Sequence, residues 1–176
     1  MHLLPTLPDD ARLWLFVADR PLGDDARATL LDQTHAFTTG WRSHGRPVRA
    51  EAAWVAPGVL AVGGAISPEE LNAGVSGCGI DAMTRLVEKA AEAAGFAWAG
   101  GLTVAYLDGG TPQVVERAAF RRMAREGAVG PETPVIDVTA ATVGELRARG
   151  VVRPAAEAWH GRTFGLASAP TDAVGG

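Results

Sequence analysis

Apolar residues along this chain fall into short blocks whose spacing switches between a strand period and a helix period. Positions 13–17, Leu-Trp-Leu-Phe-Val, make an apolar run rich in aromatic and branched side chains that ends at Asp19-Arg20-Pro21, so a buried strand fits better than a helix. Asp24 and Asp25 suit the positive end of a helix dipole, and Leu30, Phe37 and Trp41 then share one face at spacings of seven and four. This helix is expected to stop in Ser43-His44-Gly45, with Gly45 in the left-handed position after the last turn. Residues 49–55 and 59–66 read as two strands around the Ala56-Pro57-Gly58 turn. A second helix is expected over 80–94, with Ile80, Met83, Val87, Ala90, Ala91 and Ala94 inward and Gly95 ending it.

Further on, 102–107 and 113–117 form an expected hairpin across Asp108-Gly109-Gly110, and 120–126 a short helix closed by Gly127. A strand over 133–138 follows, then a helix over 142–149 opened by the capping box Thr142-x-x-Glu145. Pro5, Pro8 and the Asp9-Asp10 pair mark residues 1–10 as an irregular arm, the glycine and polar content of 67–79 marks a long loop, and the residues from Phe164 onward read as a loose tail. The order strand, helix, strand, strand, helix, strand over 12–108 matches a ferredoxin-like α+β arrangement, two helices on one face of an antiparallel sheet. The expected organisation is an arm (1–10), a ferredoxin-like domain (11–108), an extension packed on it (109–164) and a tail (165–176). In that topology His44 and Cys78 share one sheet edge, with Trp41 and Asp108 near it and Arg20 at the opposite edge.

Composition narrows the functional classes. A chain of 176 residues is long enough to bury a real core within one domain plus extensions. A net charge of −4 argues against an electrostatic nucleic-acid footprint. The single cysteine excludes an intramolecular disulfide and a cysteine-rich zinc site. Met1-His2-Leu3-Leu4-Pro5 lacks a basic leader region, and no apolar run approaches the roughly 18 residues of a membrane span. A cytoplasmic protein with no export signal and no membrane anchor is the expectation.

Candidate chemistry concentrates in Ser76-Gly77-Cys78-Gly79-Ile80-Asp81, at the mouth of the second expected helix. Free amides there stabilise a thiolate or an anionic ligand, so Cys78 reads either as a nucleophile assisted by His44 or as a small buried cap residue. His44 reads either as a general base or as a histidine answering the helix dipole. Trp41, Ser76, Gly77, Gly79 and Asp81 are candidate ligand-binding residues, with helix capping the competing role of Ser76 and Asp81. Trp159-His160 reads as a pin for the terminal segment, and Arg117, Arg121, Arg122 and Arg125 as a solvated face paired with Glu116 and Glu126. His44, His160 and Asp108 lack metal-ligand spacing, so neither a metal nor a cofactor is expected.

Residues 76–81, taken with Trp41-x-x-His44-Gly45, Ala18-Asp19-Arg20-Pro21-Leu22 and Trp159-His160, resemble a small uncharacterised bacterial family carrying a Ser-Gly-Cys-Ser-Ile-Asp motif and often labelled as ABC transporter ATPases. The resemblance covers most of 12–164, and Gly79 stands where the family has serine. ATP hydrolysis by a phosphate-cradling loop is excluded, because that loop ends in Lys-Ser or Lys-Thr and the only lysine here, Lys89, precedes Ala90. A second resemblance, over 103–138, is to bacterial GYF-like interaction domains, on Tyr106, Asp108-Gly109, Phe120, Met123, Gly127, Val129, Thr133 and Val135. The leading expectation is a non-catalytic domain binding a small ligand or a protein partner at the edge formed by 41–45 and 67–81. The alternative is a thiol-dependent enzyme or redox protein using Cys78 with His44.

Overall fold

Alternate residues of β1 (Arg12–Val17) go to two different cores: Leu13, Leu15 and Val17 to one, Trp14 and Phe16 to the other. Both faces of this strand are covered, which is why its run is apolar without alternation. The computed structural model describes residues 3–43, 45–66 and 75–166. β1 pairs antiparallel with β5 (Val59–Ala65), which pairs antiparallel with β4 (Arg49–Ala56). The turn between β4 and β5 uses Gly58 at φ +70°, as the Pro57-Gly58 dipeptide predicts.

On one face lie α1 (Asp24–Gly40) and α2 (Gly77–Ala93), with Leu30, Met83, Val87 and Ala91 packed on Leu60 and Val62. α1 stops earlier than expected. Trp41 takes extended backbone and its amide returns to the Thr38 carbonyl, freeing Arg42–Ser43 (β2) to pair with Arg46–Pro47 (β3). Gly45, at φ +78°, serves that connection and not a helix end. α2 starts earlier than expected, at Gly77, and Ala94 is exposed where an inward position was expected. The Phe96 amide donates to the Ala91 carbonyl across Gly95, closing the helix as expected.

A fourth chain segment borders β1, but it is much shorter than expected and comes from other residues. The Asp19 amide donates to Ala97 O at 2.9 Å and the Ala99 amide to Val17 O at 2.7 Å, around a single antiparallel bridge between Ala18 and Trp98. The chain then turns at Gly100-Gly101 and leaves the sheet, so the strand expected to complete it, β6 (Thr103–Asp108), opens a second sheet. There β7 (Thr111–Glu116), β6, β8 (Pro134–Ile136) and β9 (Val152–Pro154) run antiparallel in the order β7-β6-β8-β9. The chain thus leaves the first sheet near residue 100.

The two sheets share a core in which Leu13, Val59 and Ala61 of the first are clustered with Ala105 and Ile136 of the second. α4 (Val143–Arg149) adds Val143 and Leu146 to it. Its capping box forms as expected at Thr142, whose hydroxyl accepts the Glu145 amide, while Glu145 reaches back to the Ala141 amide. The opposite face of the second sheet carries α3 (Arg117–Glu126) and α5 (Trp159–Phe164), packed through Phe120, Val104, Val135 and Phe164. The molecule is therefore α+β, with helices outside a three-stranded and a four-stranded antiparallel sheet and a short β2–β3 pair beside them among the described residues. The irregular arm and the start of the tail both carry buried residues, Leu4 and Leu7 in the first and Phe164 and Leu166 in the second, so the expected loose tail is anchored as far as Leu166.

Candidate functional site

Ser76 organises the mouth of α2. Its hydroxyl accepts the Gly79 amide at 3.2 Å, its carbonyl accepts the Ile80 amide at 3.0 Å, and its own amide donates to Ser43 Oγ at 2.8 Å. The last contact ties α2 to β2, and with it to Trp41 at the end of α1. The result is an open groove of about 520 Å³ lined by Phe37, Trp41, Arg42, Ser76, Cys78 and Gly79.

Trp41 forms the floor of this groove. Its ring is 4% exposed and packs at tilted angles against Trp14 and Phe37, at centroid distances of 5.7 and 5.5 Å. Its indole Nε1 is buried and has no hydrogen-bond partner among the described residues. Buried donors are nearly always paired, so an unpaired one is an exception that calls for an explanation. A β-carbon built on Gly79 would stand 3.0 Å from that nitrogen, so glycine lets the mouth of α2 pack directly over the indole. The Gly77 and Cys78 amides, at the first turn of α2, add two donors that have no intrahelical acceptor. Arg42 donates through Nε to Gly45 O at 3.0 Å and supplies the only cation among the described lining residues.

The expected site residues thus separate. Trp41, Ser76, Cys78 and Gly79 come together, with Gly77 beside them. Cys78 is exposed, against the reading of a buried cap residue. Asp81 is exposed and plays no part in the cap, which Ser76 makes alone. Asp108 pairs with Thr111 in the β6–β7 hairpin, whose Pro112 approaches Gly58, so it sits at the sheet end away from Trp41. His44 and residues 67–74 lie outside the described residues. Arg42 falls within the 41–45 edge but was not singled out, and Phe37 was missed as a groove residue; its proximity to Trp41 at i−4 was the available signal.

A second polar cluster lies at the sheet junction. The His160 ring is buried, stacks on Trp159 at 3.9 Å and sits near Phe120 and Phe164. Burial lowers its pKa to about 4, with Asp137 opposing and Arg117 adding to the drop. Asp137 is buried too; burial pushes its carboxyl up, but the Thr139 hydroxyl and amide, with Arg149 and Arg153, outweigh that and hold it below its usual range. The arginines of α3 are more engaged than a solvated face: Arg117 lies over Trp159 at 5.1 Å and Arg121 over Phe164 at 5.6 Å, while Arg122 meets Glu126 at 4.0 Å. Among the described residues no three His, Cys, Asp or Glu side chains gather as a metal site, and no helix is long and apolar enough to cross a membrane.

No family model matches the chain, and neither a curated protein nor a solved structure matches it at a significant level.

Proposed function

We propose that this chain is a non-catalytic binding domain whose ligand seat is the groove between Trp41 and the first turn of α2. The observation that carries this reading is the buried Trp41 Nε1–H, left without an acceptor among the described residues beside a groove. Leaving such a donor unpaired costs about 1–3 kcal/mol, which a bound acceptor recovers. The other groups at the groove point to the same chemistry: the Gly77 and Cys78 amides and the Arg42 guanidinium all favour an anionic group. The ligand is a small molecule, or the terminal group of a protein partner, that presents a carboxylate or a phosphate.

The test is a titration of ¹⁵N-labelled protein with inorganic phosphate and with acetate at constant ionic strength. The Trp41 indole N–H and the Gly77 and Cys78 amides are expected to shift together and saturate, and Arg42→Gln to weaken the response. Absence of any saturable shift up to about 10 mM of either anion overturns the reading.

A second reading rests on the exposure of Cys78, which leaves its thiol open to reagents at the positive end of a helix. Under this reading Cys78 is a nucleophile or redox centre with His44 as its base. Its test is the pH dependence of iodoacetamide labelling in the parent and in His44→Ala, where an apparent pKa below about 7 that rises in the variant supports it.

Three broader expectations belong to the proposal. The order of 97–99, β1, β5 and β4, with a helix in each crossover, supports a ferredoxin-like first sheet whose fourth strand is vestigial. The 76–81 motif supports kinship with the bacterial family it resembles, and the β6–β7 hairpin, α3 and β8 follow the order of GYF-like cores. The net charge of −4 and the single cysteine support a cytoplasmic protein that does not bind nucleic acid.

A further inference from the structure

Where the first sheet meets the second, Val17, Val104, Ile136, Trp159, Arg117 and His160 border a cleft of about 350 Å³, on the far side of β1 from the Trp41 groove. The walls are mostly apolar, no carboxylate lines the cleft, and Arg117 is its only cation. The Arg117 guanidinium lies over the Trp159 ring, and among the described residues no acid is paired with it. His160 adds a buried ring whose Nδ1 has no hydrogen-bond partner among the described residues. Asp137, which follows the lining residue Ile136, is already occupied by the Thr139 hydroxyl and amide and by Arg153.

We propose that this cleft is a second binding site, for a small aromatic or branched-chain monocarboxylate. The apolar body fits between Val104, Ile136 and Trp159, and the carboxylate meets Arg117, whose fork of N–H donors suits it. The unpartnered His160 Nδ1 supplies a further polar contact at the buried wall. The volume lies at the lower end of the range for small-molecule sites, which restricts the ligand to roughly the size of phenylacetate. A free cation without an acid, in an apolar cleft, selects a single negative charge on an apolar body over a sugar, a polyanion or a cation.

Titration of the ¹⁵N-labelled protein with phenylacetate, indole-3-acetate and the neutral isostere phenylacetamide tests this. A carboxylate is expected to shift the Trp159 indole, Gly100 and Gly101 signals saturably, with Arg117→Gln weakening binding roughly tenfold and the amide binding correspondingly less. Arg117 is exposed, so the variant is expected to fold, and its unchanged backbone spectrum outside the cleft establishes that. The proposal is overturned by no saturable shift up to about 10 mM. Equal binding of acid and amide, or indifference to Arg117→Gln, overturns it as well. Shifts confined to Trp41, Gly77 and Cys78 do the same, and leave the first groove standing.

Discussion

Trp41 and Gly79 face each other so closely that a β-carbon on Gly79 would stand 3.0 Å from the indole nitrogen, a nitrogen that has no acceptor among the described residues. Two substitutions separate the steric from the polar consequence. Alanine at 79 crowds the indole without satisfying it; serine brings a hydroxyl oxygen within reach. Helix propensity alone makes alanine the better residue by about 0.5 kcal/mol. An acceptor for the buried N–H contributes about 1 kcal/mol the other way. Gly79→Ser is therefore expected to exceed Gly79→Ala in urea denaturation, with slowed exchange of the Trp41 indole proton, and both variants are expected to lose phosphate binding. Greater stability of the alanine variant would show that Nε1 does not seek an acceptor.

Cys78 lies on the same groove and is exposed. It is expected to react with iodoacetamide in the native protein, without denaturant. The adduct is expected to fill the space beside Trp41 and abolish the phosphate-induced indole shift, while circular dichroism stays that of the parent. Labelling that appears only in denaturant would contradict the observed exposure.

The groove was half legible in the sequence because its parts carry local signals. Ser76 at the head of an amphipathic helix reads as a cap, and Trp41 sits on the apolar face of the preceding helix. The turn glycines Gly58, Gly95 and Gly127 and the Thr142–Glu145 cap were legible for the same reason, since each answers to backbone geometry within four residues. What the pattern did not carry is pairing at a distance. The segment beside β1 is one bridge at Trp98, too short for any period, so the longer apolar run at 103–108 was assigned in its place. The burial of Leu4 and Leu7 depends on Arg147, 140 residues further on for Leu7, and no local rule connects them.

That arginine makes a testable clamp. Its guanidinium donates to the carbonyls of Leu3, Leu4 and Leu7 and pairs with Asp9. Arg147→Ala leaves three carbonyls of the arm without that donor and is expected to destabilise the fold by about 2–4 kcal/mol. Arg147→Lys should recover only part of this, because one ammonium cannot span the positions a planar fork reaches. Hydrogen exchange at the Leu7 amide, which donates to Leu4 O, reports the arm directly and is expected to accelerate in both variants, most in alanine.

Under the same arm, β5 carries Gly63, where a β-carbon would collide with the Leu7 side chain. Gly63→Ala is expected to cost about 1–3 kcal/mol by overpacking. In a Leu7→Ala background the same change should cost much less, since the colliding atoms are gone. A double-mutant cycle by urea denaturation measures the difference, and additive effects would mean that the arm does not press on Gly63.

His160 makes the stability depend on pH in a defined window. Its pKa falls to about 4 in the folded chain, against an ordinary 6.5, because the ring is buried and uncharged. Above pH 6.5 the ring is neutral in both states and the full stability is present. Between 6.5 and about 4 the unfolded chain binds a proton that the folded chain does not, so stability falls as the pH is lowered. The loss amounts to roughly 3 kcal/mol across the window. Asp137, whose pKa is lowered, acts with the same sign but only further down: its contribution is present above the ordinary carboxylate pKa and disappears as the pH falls through its depressed folded value. A His160→Gln variant separates the two, since it retains Asp137 and removes the imidazole. Urea midpoints measured from pH 7 to pH 4 are expected to decline for the parent and to run flatter for the variant, with the curves closest at the acid end. Parallel curves would show that His160 is not held neutral at the sheet junction.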